Sequence, residues 1–344
     1  MIVLSFIQLP QSDPPNPAEL PHQQRRPTEG VRFRIDFDES RVLFPAKVPN
    51  NPALPLLLTN HQLHAETLDI LRRAFPPSNV EPPSYTADIL YLKDTGALCP
   101  TWLSVPRRAA HVDTLHVQFR ISNSPCDPDL LVDGIAVPAK VFNNDNDMWT
   151  LYHLFISTIA TGTYPPCGGP ITVKRLVLDF LPAGVDVQDL LPMGPVVKWE
   201  WSSGDNPRGP DVYARDMRKE VSEAMRLDPN LEGSFEGDPG REAAARLMCY
   251  FMKWLRIVSG TRDYTWKRGK VLMEHVGGIE FCLDGVLYET LDLGRRLENA
   301  TRWGGGVESY RQRMWYGEFL PWRERTLARR RELGMSAPTA TTGG

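Results

Sequence analysis

An α+β or mixed α/β fold, with a small sheet built on a strand–helix–strand crossover and packed with several helices and a C-terminal hairpin and helices, follows from three features of this 344-residue sequence. First, Leu115, Val117, Phe119 and Ile121 alternate with Thr114, His116, Gln118 and Arg120, the period-two pattern of a strand with one face in a core. Second, Met148, Leu151, Tyr152, Phe155 and Ile159 recur at helical spacing, and the chain then returns to strand from Ile171 to Phe180. That order reads as a crossover with parallel strands. Third, Asp284-Gly285 lies between alternating apolar arms within Ile279 to Leu293, the strongest hairpin signal in the chain.

From the N-terminus, Gln11 to Gly30 is rich in Pro, Gln and Arg without periodicity, which predicts a disordered leader over residues 1–30. Val31, Phe33, Ile35 and Phe37 alternate with Arg32, Arg34 and Asp36 and predict a strand. Leu54 to Phe75 predicts a helix packed on two sides. At about 100° per residue, Leu57, His61, His64, Leu68 and Leu71 share one face, while Gln62, Glu66, Asp69 and Arg73 point outward. Pro76-Pro77 ends it. A short strand follows from Ala87 to Leu92, then a turn of helix from Pro100 to Val105 closed by Pro106. In Ile171 to Phe180 the apolar parity slips between Val173 and Leu176, which predicts either a bulge at Lys174-Arg175 or burial on both faces.

A linker at Ser202 to Pro210 divides a mixed core of 31–201 from a helical region of 211–333, whose hairpin is expected to pack on that core. Pro210 to Leu227 predicts a helix. Asp238-Pro239 is a helix start, a capping side chain before a proline at the first helical position. The helix that it opens carries the stripe Leu247, Tyr250, Phe251, Trp254, Leu255 and Val258. A polar bend from Thr261 to Arg268, a short helix near Val271 to His275, and a helical Trp303 to Leu333 broken at Pro321 complete the order, with a disordered tail at 334–344.

Composition narrows the function classes. With 42% hydrophobic and 24% charged residues the chain is an ordinary globular one, and its formal net charge of −3 gives no global attraction to nucleic acid or anionic lipid. Its five cysteines are odd in number, widely spaced and lack a C-x-x-C, which predicts reduced thiols in an intracellular protein of the cytoplasm or nucleus. Met1 to Leu9 is apolar but has no basic flank and runs into Pro10, against a secretory signal. No run approaches the ~18 apolar residues that span a bilayer.

The sequence assigns no catalytic residue, no cofactor and no metal. His61 and His64 have a ligating spacing, but no third ligand accompanies them and both lie on the leucine stripe of a helix, where a buried, hydrogen-bonded role is the simpler reading. His111 and His116, five apart on a strand, point to opposite faces. Cys167 in P-P-C-G-G-P lacks a base, and Gly304-Gly305-Gly306 lacks the preceding strand that a phosphate loop needs.

The C-terminal segment differs in kind. Eight arginines and four glutamates without lysine lie between Arg302 and Leu333, interleaved with Trp303, Trp315 and Trp322. Trp315, Trp322, Arg323, Arg325, Arg329, Arg330 and Arg331 form the candidate partner surface, because arginine beside an indole anchors protein interfaces. The competing reading is a solvated helix whose tryptophans cover the main core.

Taken in order, L-L-L-T-N-H-Q-L-H-A-E-T, D-I-L-Y-L-K-D, C-P-T-W-L-S-V-P, H-V-D-T-L-H-V-Q-F-R-I and H-V-G-G-I-E-F-C-L-D-G-V make the chain resemble a large group of uncharacterised filamentous-fungal proteins, some described as F-box-like. The likeness runs from about Pro52 to Leu293 and implies a fold more than an activity. It departs from an intact F-box, since Leu54-Pro55 is followed by Leu56-Leu57-Leu58 and Gln62 and Glu66 stand where apolar contacts belong. The resulting expectation is a non-enzymatic interaction or scaffold protein, an F-box-like adaptor relative, with a protein partner and neither membrane nor nucleic acid. The alternatives are an enzyme whose site is assembled from distant residues and nucleic-acid binding through the arginine-rich C-terminus.

Overall fold

The computed structural model describes residues 13–14, 25–27, 42–45, 62, 65–66, 69, 82–92, 97–106, 109–122, 131–132, 135–136, 151–152, 154–156, 158–159, 170–182, 238–260, 265–300 and 315–335. The strands are β1 (Arg25–Pro27), β2 (Leu43–Pro45), β3 (Tyr85–Leu92), β4 (Ala97–Ser104), β5 (His111–Ser122), β6 (Leu131–Val132), β7 (Ile135–Ala136), β8 (Thr172–Phe180), β9 (Val276–Leu283) and β10 (Val286–Asp292). Besides helical residues described in part at 62–69 and 151–159, the helices are α1 (Pro239–Val258), α2 (Thr265–His275), α3 (Leu293–Asn299) and α4 (Leu320–Glu332), the last preceded by a π-helical turn, Trp315–Phe319. Six strands form one sheet in the order β10-β9-β8-β5-β3-β4, while β1–β2 and β6–β7 pair separately.

The inner strands β9, β8, β5 and β3 are parallel, and β4 and β10 are antiparallel edges. The predicted crossover is present. β5 pairs in parallel with β8 from His111↔Thr172 to Phe119↔Phe180, and the described residues of 151–159 between them are helical and mostly buried. A second crossover leads from β8 through α1 and α2 to β9. Because β5, β8 and β9 follow one another across the sheet in chain order, right-handed crossovers place their helices on one face. The core lies there: Phe119 stacks on Phe180 at 5.1 Å, and both meet Phe251 of α1 at 6.3 Å. Burying each such ring contributes roughly 2–3 kcal/mol.

Local chemistry explains the element ends. Asp238 caps α1, its Oδ1 accepting the Arg241 N–H at 2.9 Å, and the stripe residues Phe251, Trp254, Leu255 and Val258 are buried. Asp284 and Gly285 have φ of 52° and 74°, the left-handed pair that a two-residue hairpin turn between Leu283 and Val286 requires. The parity slip in β8 is met by burial on both faces. The register with β5 keeps a constant offset, with Val173 and Asp179 buried on one side and Leu176, Leu178 and Phe180 on the other.

Four expectations need correction. Pro100 to Val105 is not helical; Pro100 lies in β4, an edge strand, where its missing N–H interrupts no inner ladder. The hairpin does not lie on the core as a separate layer but joins its sheet, since β9 is the parallel neighbour of β8 and Ile279 and Phe281 are buried in the same apolar cluster. Residues 265–268 belong to α2 rather than to a bend, their polarity being that of a half-solvated helix with Trp266 inward and Lys267 outward. Pro321 does not end the helical run; it stands in the first turn of α4, where the π-helical turn gives way to α-helix.

At the Leu54–Phe75 helix, the described Gln62, Ala65, Glu66 and Asp69 are helical, and the outward Gln62 donates to Glu66 at 2.8 Å. The strand at 31–37, the linker at 202–210, the helix at 210–227, His61, His64, Cys167 and Gly304 to Gly306 lie outside the described residues. No helix among the described residues is long and apolar enough to cross a membrane.

Candidate functional site

Helix α4 is built onto the sheet through a second, smaller core. Trp266 of α2, Leu297 of α3, Phe319, Trp322 and Leu327 form it, with Trp266 and Trp322 stacked at 5.2 Å. Trp322 also donates its indole N–H to Glu274 Oε1 at 2.6 Å. Arg330 is 1% exposed, and among the described residues no carboxylate pairs with it. Its guanidinium donates instead to the carbonyls of Met273, Val276 and Gly277, each at 2.7 Å, where α2 runs into β9. Burial lowers its pKa to about 10, against the more distant charges of Asp292 and Glu298, so it stays cationic at neutral pH. Gly294 leaves room for it, since a Cβ there would lie 3.2 Å from Arg330 Nη2.

The expected partner surface therefore divides. Trp322 and Arg330 are removed from it by burial, which corrects their assignment as surface anchors. Arg323 is largely covered, donating to the Leu297 and Glu298 carbonyls and pairing with Glu324. Arg325, Arg329 and Arg331 are exposed. Trp315 begins the π-helical turn, and its side chain lies outside the described residues. At about 100° per residue Arg325 and Arg329 fall within about 40° of each other, whereas Arg331 lies on the far side of the buried arc. Two of the seven candidate residues thus form a shared exposed edge. The buried arc was legible in principle, because Arg330 falls between Thr326 and Leu327 in angle around the helix. The recipients of its bonds were not, because they are backbone carbonyls of a distant junction.

The sheet face opposite the crossover helices carries polar side chains that sequence reading did not combine. By strand alternation Asp88, His116, Arg120, Asp179, Glu280 and Cys282 share it. Asp88, fully buried, receives a bidentate pair from Arg120 at 2.6 and 2.8 Å. Asp179 lies 3.6 Å from His116 Nε2 and accepts the Gly285 N–H at 2.9 Å, so it ties β5 and the hairpin turn to β8. Burial pushes the Asp179 carboxyl up, but these two partners outweigh burial and hold it below the ordinary 3.8. Cys282 is no thiolate nucleophile: burial, then Asp179 and Glu280, raise its pKa to about 11. His111 points to the other face and meets Thr172 Oγ1 at 2.6 Å. Among the described residues no cluster of three or more His, Cys, Asp or Glu side chains could hold a metal ion.

Compared with protein-family models, curated proteins and solved structures, the chain shows no significant match to any of them.

Proposed function

We propose that the protein is a non-enzymatic interaction or scaffold protein of the cell interior that engages an acidic segment of a partner protein through Arg325 and Arg329. The observation that carries this reading is the contrast along one helix. Trp322 and Arg330 fix α4 to the body, while Arg325 and Arg329 stand exposed on a common edge. A cationic edge on a preset helix binds without the ordering cost of a flexible arm. The resemblance to F-box-like fungal proteins supports an adaptor form of this role. The test is affinity purification with the full chain and an Arg325→Glu/Arg329→Glu variant. Selective loss of one protein partner, with thermal stability unchanged, is the expected result; an identical partner set removes this surface from the account, and retention on nucleic acid that falls steeply with salt replaces it with phosphate binding.

A second reading rests on a different observation. Half-exposed His116, backed by the buried Asp179 carboxylate, has the arrangement of a general base with its orienting acid. The Gly285 bond gives Asp179 a structural task that accounts for its burial, so the interaction role is the stronger reading. A His116→Gln variant that abolishes a turnover found by substrate screening would favour the enzyme.

A further inference from the structure

His275, the last residue of α2, is buried at 9% exposure, and among the described residues its Nδ1 has no hydrogen-bond partner. The ring bonds the Ile171 backbone at the entry to β8, which leaves Nδ1 as a lone acceptor in the neutral imidazole. On both sides of it the chain is held by α4. Glu274 receives the Trp322 indole, and the Met273, Val276 and Gly277 carbonyls receive Arg330. The charged groups that face or flank it are Arg329 and Arg330 of α4 and Glu274 and Lys270 of α2, with Lys270 drawn toward Glu274 at 3.7 Å.

We propose that His275 is the sensing group of an acid-released latch that holds α4 on the α2–β9 junction. A proton on Nδ1 would create a second N–H donor with no acceptor, inside a junction that already holds the Arg330 guanidinium and faces the charge of Arg329. Opening the junction gives that donor to water. Burial, then Arg329, lower the folded pKa from 6.5, against weaker upward pulls from Glu274 and Ile171. The open form therefore takes up the proton first, and closure is favoured above pH 6.5 and weakened as the pH falls below it. The device goes beyond the partner reading, because it concerns the helix with or without a partner.

The test is hydrogen exchange on the full chain, read as protection factors at about pH 7.5 and about pH 5.5, above the range in which carboxylates titrate. Protection in α4 is expected to fall on acidification by at most about tenfold per pH unit, the limit for one proton, while β5 and β8 keep theirs. In His275→Gln, whose amide can still bond Ile171, the α4 response should vanish. Should that variant fail to fold, Arg329→Gln at an exposed position serves instead: it removes the repulsion and should shrink the response. Equal pH responses of α4 in the wild type and the variant tested, or a loss of protection shared by the whole sheet, overturns the latch.

Discussion

The indole N–H of Trp322 donates to Glu274 Oε1 at 2.6 Å, so the arginine-rich helix is tied to the helix that feeds β9 through a side chain that its sequence makes look like a surface aromatic. The bond adjoins an aromatic group in which Trp266 and Trp322 stack and Phe319 meets Trp266 edge-on.

Replacing Trp322 separates the two contributions. Trp322→Phe keeps most of the packing and loses the hydrogen bond, for an expected cost of about 1–2 kcal/mol, whereas Trp322→Ala should cost about 3–5 kcal/mol. Urea unfolding checks both. Equal costs would place the stabilisation in the hydrogen bond alone.

Asp179 makes the sheet acid-sensitive in a defined direction. Its folded pKa is below 3.8, so the unfolded chain takes up the proton first; the stabilisation is complete above pH 3.8 and is lost as the pH falls through the folded value. Asp179→Asn should therefore be less stable than the wild type at neutral pH by about 1–3 kcal/mol, with the gap closing in acid. Denaturant unfolding across that range checks it, and a gap independent of pH contradicts the assignment.

Gly277 of β9 faces the β8 backbone, and a Cβ there would lie 2.2 Å from the Lys174 carbonyl oxygen. Backbone must move to admit it. Gly277→Ala is expected to cost at least about 2 kcal/mol, whereas Gly278→Ala, whose Cβ would meet the Leu291 carbonyl at an ordinary 3.6 Å, is expected to cost less. Matching thermal midpoints for the two variants would contradict the close approach.

The legible parts of the fold were those in which periodicity alone decides. Leu115 to Ile121 alternated cleanly, Phe251 and Trp254 marked the inner face of α1, and Asp284-Gly285 announced a turn whose φ values only a few residues adopt. Pro100 misled because a proline is a helix or turn signal except on an edge strand, and edge position is a property of the whole sheet. The place of the hairpin beside β8 was hidden for the same reason: strand partners far apart in sequence leave no local mark. At the candidate site the exposure of Arg325 and Arg329 was readable. The recipients of the Arg330 bonds were not, because they are carbonyls from another part of the chain, and a cation goes inside only where such acceptors await it.

That division of labour along α4 is the central claim, and comparing two charge-removing variants in urea tests it most directly. Arg330→Gln empties bonds to three buried carbonyls and should lose about 3 kcal/mol, while Arg325→Gln/Arg329→Gln should stay within about 0.5 kcal/mol of the wild type. Equal losses in the two proteins, or a stable Arg330→Gln, would contradict it.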